Sequence, residues 1–300
     1  MFGFGKPKQV AETEADGEIE RVYHEIKQGL RVSGINLNFR TWAGYEKFFP
    51  AMWDAMRPVA ETRAFETAAD EVRAESVRIA ETLGAIGAKS NANLGESQRY
   101  QIEKALELYH YINPKLLVLT AKVRQALENE AAQTQNALPK NTELIERGIP
   151  VKMYPMEMIS DEPDDEEIAA IFEDIKETLD LSSINSDYRT FGLWKNYLAA
   201  FWRELKPIVE SVEYEQASNE LRETARKSAS DLPPISLSKK QVEELGEDVD
   251  EILKTTEKFE KLLPSLIINI SLLSLDGKTA NELVKSPFPA ETIKQGGQKR

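Results

Sequence analysis

Residues 33–41, SGINLNFRT, recur as residues 182–190, SSINSDYRT, and the correspondence continues on both sides without a gap at a constant offset of 149 residues. Upstream, Ile26, Lys27 and Leu30 repeat as Ile175, Lys176 and Leu179. Downstream, Trp53, Pro58, Glu61, Glu66, Glu71 and Arg73 repeat as Trp202, Pro207, Glu210, Glu215, Glu220 and Arg222. A register held over so long a stretch marks a duplicated unit, and it restricts the chain to folds that can pack against a copy of themselves. The expectation is an intrachain pseudo-dimer: a first repeat over 1–130, a linker over 131–165 and a second repeat over 166–300. The informative positions are those where the copies differ, above all Asn38 against Asp187.

The periodicity is helical. Ile19, Val22, Tyr23, Ile26 and Leu30 fall on one face of a predicted helix over 18–30. Trp42, Tyr45, Phe48, Phe49, Met52 and Trp53 have the same spacing on a second, and Phe191, Trp194, Tyr197, Phe201 and Trp202 on its counterpart. Such aromatic sets read as core. Pro58 and Pro207 suit the first turns of the long helices that follow. Residues 98–110 and 115–127 read as two helices interrupted at Asn113-Pro114. Ser238 followed by Gln241 resembles a capping box, and Pro264 is expected to open the apolar helix ending at Leu275. The linker breaks the pattern with prolines and acidic residues, and Met153, Tyr154, Met156 and Met158 are expected to strap it across the first unit. Period-two alternation is absent, so the expected class is all-α, two tandem helical repeats.

Composition removes several kinds of chemistry. A net charge of −13 argues against nucleic acid and anionic membrane surfaces as partners. Without cysteine there is no thiolate nucleophile, disulfide or zinc ribbon. No signal peptide or membrane span is visible, and a cytoplasmic location is expected. No Gly-rich loop follows a strand to cradle phosphate. His24 and His110 are the two histidines. Glu107-Leu-Tyr-His110 has the spacing of half a di-iron motif, but the second repeat supplies no histidine, so no metal is expected.

The loop before the second helix of each repeat remains. Asp and Asn both serve as N-caps, and Asn38 and Asp187 would cap alike. Only Asp can also accept a proton. One scaffold with Asn in one copy and Asp in the other therefore suits either plain capping or a single-site enzyme. Asn113 likewise either bonds carbonyls freed by Pro114 or serves a site.

At these residues the chain resembles the all-helical group I 2-haloacid dehalogenases, the halocarboxylic acid dehalogenases, over nearly its whole length. The resemblance lies in DGEIERVYHEIKQGLRV (16–32), the duplication, LYHYINPKLLVL (108–119), Ser186-Asp187, LDG (275–277) and KSPFP (285–289). It implies that Asp187 is the catalytic aspartate, that Asn113 helps to position the attacking water and that Ser186 lies beside the centre. Asn185 holds the place that varies between Ala and Asn with substrate stereochemistry. A pocket tryptophan of the best-known members falls on Gly34, a nearby aromatic becomes Leu37, and a late pocket tyrosine has no counterpart after Tyr214. Tyr188 is placed with the substrate-binding residues. The centre is kept while the pocket wall is rebuilt, which points to a changed substrate range.

The implied reaction is hydrolysis of short 2-haloalkanoic acids to 2-hydroxy acids by direct water attack with inversion. No metal or organic cofactor is required. The substrate carboxylate is expected near the helix start at 187–190, helped by Ser186. The expected partners are a halocarboxylate and water, with a homodimer left open as the assembly. Two alternatives stand beside this: a non-catalytic relative that binds small carboxylic acids, and a carboxymuconolactone-decarboxylase-like helical enzyme. The usual cysteine pair of the latter's redox relatives is absent.

Overall fold

The structure, a computed structural model, describes residues 9–128, 142–155 and 157–293. The described residues up to 128, called the first unit below and those from 157 the second, supply α1 (Gly17–Gly29), α2 (Leu37–Trp42), α3 (Phe48–Ala60), α4 (Arg63–Leu83), α5 (Ala88–Asn91) and α6 (Glu96–Glu128). The second supplies α7 (Glu166–Thr178), α8 (Ser186–Phe191), α9 (Lys195–Val209), α10 (Val212–Ser230), α11 (Lys239–Glu244), α12 (Val249–Leu275) and α13 (Ala280–Leu283). Among the described residues the only β pairing is two isolated bridges, Thr62 with Leu144 and Ile145 with Thr292. None of the described helices is long and apolar enough to cross a membrane. The fold is all-helical.

Local interactions recur at the 149-residue offset. α1 and α7 are each 13 residues, and α2 and α8 are each six. The turn after each long entry helix uses a non-glycine residue at positive φ, Arg31 at 59° and its counterpart Asp180 at 51°. Thr62 caps α4 by accepting from Phe65 N–H, as Ser211 caps α10 by accepting from Tyr214 N–H. Trp53 Nε1 donates to Glu25 at 3.0 Å, and Trp202 Nε1 donates to Asp174 at 2.7 Å. Arg57 pairs with Glu25 as Lys206 pairs with Asp174.

The long helices α4, α6, α10 and α12 pack against one another at the centre, two from each unit, while α1 packs on α3 and α7 on α9 at the periphery. Burying amphipathic faces drives this arrangement, since helix propensity alone is a weak force. Trp42, Phe48, Phe49 and Trp53 are fully buried, as are Phe191, Tyr197 and Phe201.

Several helix boundaries differ from expectation. The aromatic stretch after residue 36 is two helices, α2 and α3, and its counterpart is α8 and α9. Pro58 and Pro207 lie near the ends of α3 and α9, and the next helices start with their own caps. Asn113-Pro114 does not interrupt: α6 runs through it. Proline lacks an N–H, which leaves the carbonyl four residues earlier, that of His110, without its helical donor. Arg73 from α4, fully buried, supplies one: Nε donates to His110 O at 3.0 Å and Nη2 to Tyr111 O at 3.2 Å. α12 likewise passes through Pro264, because its start is set earlier by Asp248, whose side chain accepts from Asp250 and Glu251 N–H. Ser238 caps α11, accepting from Gln241 N–H at 3.2 Å, but the expected box is not closed: Gln241 Oε1 accepts from the Ser238 hydroxyl and not from its backbone N–H.

Residues 129–141, most of them in the linker, and Met156 lie outside the described residues. The rest touches both units. Ser33 donates to Tyr154 O at 3.0 Å on the first unit. On the second, Thr190 donates to Glu157 O at 2.7 Å and Arg189 Nε to Ile159 O at 2.9 Å. Met153 is buried, whereas Tyr154 is exposed and Met158 half-buried. The strap is therefore not confined to the first unit; it also holds α8.

Candidate active site

A cavity of about 190 Å³ lies where the two units meet. Its walls come from α2 with the residue before it (Asn36, Leu37, Asn38), from α6 (Asn113, Leu116), from the turn into α8 (Asn185, Ser186, Asp187) and from α12 (Lys258, Phe259, Leu263, Leu266). Both short helices thus place their second residue on it, Asn38 from α2 and Asp187 from α8.

Asp187 is 4% exposed and accepts a 2.8 Å hydrogen bond from Asn113 Nδ2. Burial pushes its carboxyl up to about 7; the bonds from Asn113 and from its own backbone N–H pull the other way and only partly offset that. A carboxyl poised there is half ionised at neutral pH and suits proton transfer to and from water. It is not a cap. Asn185 occupies the N-cap position of α8 and makes no side-chain capping bond, while Asp187 sits one residue inside the first turn. Asn113 does not serve the carbonyl freed by Pro114 either, since Arg73 does.

The sequence-predicted residues divide. Asp187, Asn113, Ser186, Asn185 and Leu37 come together on the cavity wall. Tyr188 is a correction: its ring turns away into the core, stacked on Phe201, and its hydroxyl accepts from Asn269 Nδ2 at 2.9 Å. These core contacts, rather than the cavity, hold Tyr188. Gly34 is not on the wall either. It lies in the preceding loop, where an added Cβ would meet nothing within 4 Å.

The sequence reading missed Asn38 as a wall residue. Its side chain is 3% exposed, and neither its oxygen nor its nitrogen has a partner among the described residues. The difference from Asp187 was the available signal, read only from the Asp187 side. Lys258 was also missed; it is exposed, lines the cavity and donates to Ser182 Oγ at 2.9 Å.

His110 takes no part. It is buried, lies in a separate cavity and is bonded through Nε2 to Leu283 O at 2.8 Å. Burial drives its pKa down to about 3, so it is neutral. Glu107, beside it in the half di-iron spacing, is neutralised by Lys104 and Lys278. Among the described residues no group of three or more His, Cys, Asp or Glu is placed to hold a metal ion.

Residues 33–188, more than half the chain, match the family described as halocarboxylic acid dehydrogenase DehI, and the chain belongs to that family. Among its relatives is an (R)-2-haloacid dehalogenase of Pseudomonas putida, 26% identical over 88% of this chain and 90% of the relative. A configuration-inverting 2-haloacid dehalogenase of Alcaligenes xylosoxydans xylosoxydans is 23% identical over 94% of this chain and 97% of the relative. The fold is that of a solved D-2-haloacid dehalogenase in complex with L-LA, with a TM-score of 0.81 at 23% identity, covering 89% of this chain and 95% of that one.

Proposed function

We propose that this chain hydrolyses short 2-haloalkanoic acids to 2-hydroxy acids by direct attack of water at C2, with inversion. The observation that carries the reading is the buried Asp187 carboxyl, raised to about 7 and held by Asn113 on the cavity wall. Asp187 acts as general base. Asn113, on a different helix, holds the base and orients the water through its remaining amide atoms. The water oxygen bonds C2, its proton passes to Asp187, and the halide departs with the bonding pair.

The substrate carboxylate is assigned to Ser186 and Asn185, with Lys258 the one cation among the described residues lining the cavity. A buried carboxylate ligand needs such partners to offset its desolvation. Leu37 and the α12 residues Phe259, Leu263 and Leu266 give an apolar bed for the alkyl chain. Gly34 is assigned to the approach from the α1–α2 loop, where its missing side chain leaves open space. The recurring caps, Trp–carboxylate bonds and positive-φ turns support descent from a duplicated unit, with residues 1–130 and 166–300 as the two halves of an intrachain pseudo-dimer around one centre.

Halide release from a panel of 2-chloro and 2-bromo acids tests the activity. Single turnover in ¹⁸O-water tests the route: direct attack puts label in the hydroxy acid, whereas an aspartyl ester hydrolysed at its carboxyl carbon puts it in Asp187. A protein that binds these acids but releases no halide would be the non-catalytic relative instead.

A further inference from the structure

Asn38 is the positional counterpart of Asp187, the second residue of α2 as Asp187 is the second of α8. The two have opposite fates. Asp187 is met by Asn113, the residue before Pro114 in α6. Leu263, the residue before Pro264 in α12, lines the same cavity and offers no hydrogen bond. Asn38 is thus left with both amide atoms unpartnered among the described residues while 3% exposed. Leaving a buried amide unsatisfied is costly, and a polar group arriving in the cavity relieves that cost.

We propose that the Asn38 amide receives the departing halide. This rests on the hydrolytic reading above and assigns the other end of the same displacement. As the water oxygen bonds C2 and yields a proton to Asp187, the C2–halogen pair leaves with the halogen, and negative charge grows on that atom. A neutral N–H donor aimed at developing charge in a dry site stabilises it strongly. It does so without placing a cation beside the base, which would pull the Asp187 pKa down and weaken it. Inversion requires nucleophile and leaving group on opposite sides of C2. Asp187 and Asn113 serve one side from α8 and α6, and Asn38 approaches from a third helix, α2. A carboxylate at position 38 would repel the leaving anion. The difference between the copies therefore divides the work, with proton acceptance at 187 and N–H donation at 38. Lys258, exposed at the mouth, suits the substrate carboxylate, which leaves the buried amide for the halide.

The test uses Asn38→Leu, close to Asn in shape and free of unpaired polar atoms, with circular dichroism as the check on folding and Asn38→Asp as a second variant. Wild-type crystals soaked in sodium bromide should show an anomalous bromide peak within hydrogen-bonding distance of Asn38 Nδ2. Both variants should lack it. Chloride accepts hydrogen bonds more strongly than bromide as it leaves. The rate on 2-chloropropanoate should therefore fall about tenfold in Asn38→Leu, the scale of one charge-assisted hydrogen bond, and the rate on 2-bromopropanoate by less, so that the chloro-to-bromo ratio falls. A bromide peak elsewhere in the cavity, or an unchanged chloro-to-bromo ratio in an active variant, overturns the assignment. A wild-type protein that releases no halide from any acid overturns the hydrolytic reading itself.

Discussion

Asn113 donates to the carboxylate of Asp187 at 2.8 Å although the two lie 74 residues apart and on different units. The bond settles a balance. Burial alone would raise the carboxyl further, and Asn113 stabilises its ionised form enough to leave it near 7. An amide is the residue type that both tempers the carboxyl and keeps atoms free for a water.

Activity should follow that titration. With Asp187 as base, kcat/KM should climb about tenfold per pH unit on the acid side and level off above about 7. Asn113→Leu, which copies the Leu263 side of the cavity, removes the bond that favours ionisation. The acid limb should move to higher pH and the plateau should drop. A pH–rate profile on 2-chloropropanoate reads both effects, and an unmoved limb would mean that Asn113 does not govern the base.

Asp187→Asn should trade activity for stability. Halide release should fall by about 10² or more, the scale of losing a general base. Stability should move the other way. In the unfolded chain the carboxyl ionises at about 4, while in the folded one it holds its proton to about 7. Below pH 4 it is neutral in both states and contributes nothing. Between the two values the unfolded state gains from ionising and the folded state does not, so stability is lost as pH rises; above 7 the loss is constant. The full penalty is on the order of 4 kcal/mol at 1.36 kcal/mol per unit, and Asp187→Asn should recover up to that amount. Urea unfolding at pH 4.5 and pH 8 should show the variant's advantage widening with pH. No widening would place the carboxyl at an ordinary pKa.

Much of the fold was legible because periodicity and offset are local signals. The helical faces and the constant register were plain, as was the cap at Ser238, and so was the contrast at 38 and 187. What stayed hidden depended on distant partners. Nothing near Pro114 reveals that Arg73, 37 residues before His110, repairs the helix there. Tyr188 looked like a site residue because it adjoins Asp187 in sequence; helical geometry turns it to Phe201 and Asn269. Asn38 looked like the silent copy, and its missing partner is visible only once Leu263 is seen on the opposite helix of the other unit.

The buried pair Lys115–Glu66 should matter to stability and not to chemistry. Lys115 is fully buried and also donates to Tyr111 Oη at 2.6 Å and Leu30 O at 3.2 Å. Its counterpart arrangement is absent: Glu215, equivalent to Glu66, is exposed. Lys115→Met strands the Glu66 carboxylate and should cost roughly 3–5 kcal/mol. Lys115→Met combined with Glu66→Leu should cost clearly less, because no charge is left unpaired. Chemical denaturation of the two variants compares them directly, and equal losses would show that packing rather than charge sets the cost.

α6 carries Asn113 to the cavity through a proline, and the repair of that turn is itself testable. Arg73 Nε takes the His110 carbonyl, which Pro114 cannot bond. Arg73→Met should leave that carbonyl bare and destabilise the protein by a few kcal/mol, as for other buried polar groups stripped of a partner. Pro114→Ala restores an N–H four residues on, which can take the same carbonyl. In that background Arg73→Met should cost about 1 kcal/mol less, the worth of one hydrogen bond, so the double-mutant cycle should show coupling of that size. Additive losses would mean that Arg73 acts through Asp70 and Tyr111 O alone. The same substitution reports on function. Asn113 immediately precedes the proline, and restoring a regular turn should shift its amide relative to Asp187. Pro114→Ala should then lower kcat and move the acid limb upward, as Asn113→Leu does, while a stable variant with an unchanged profile would separate the helix repair from the site.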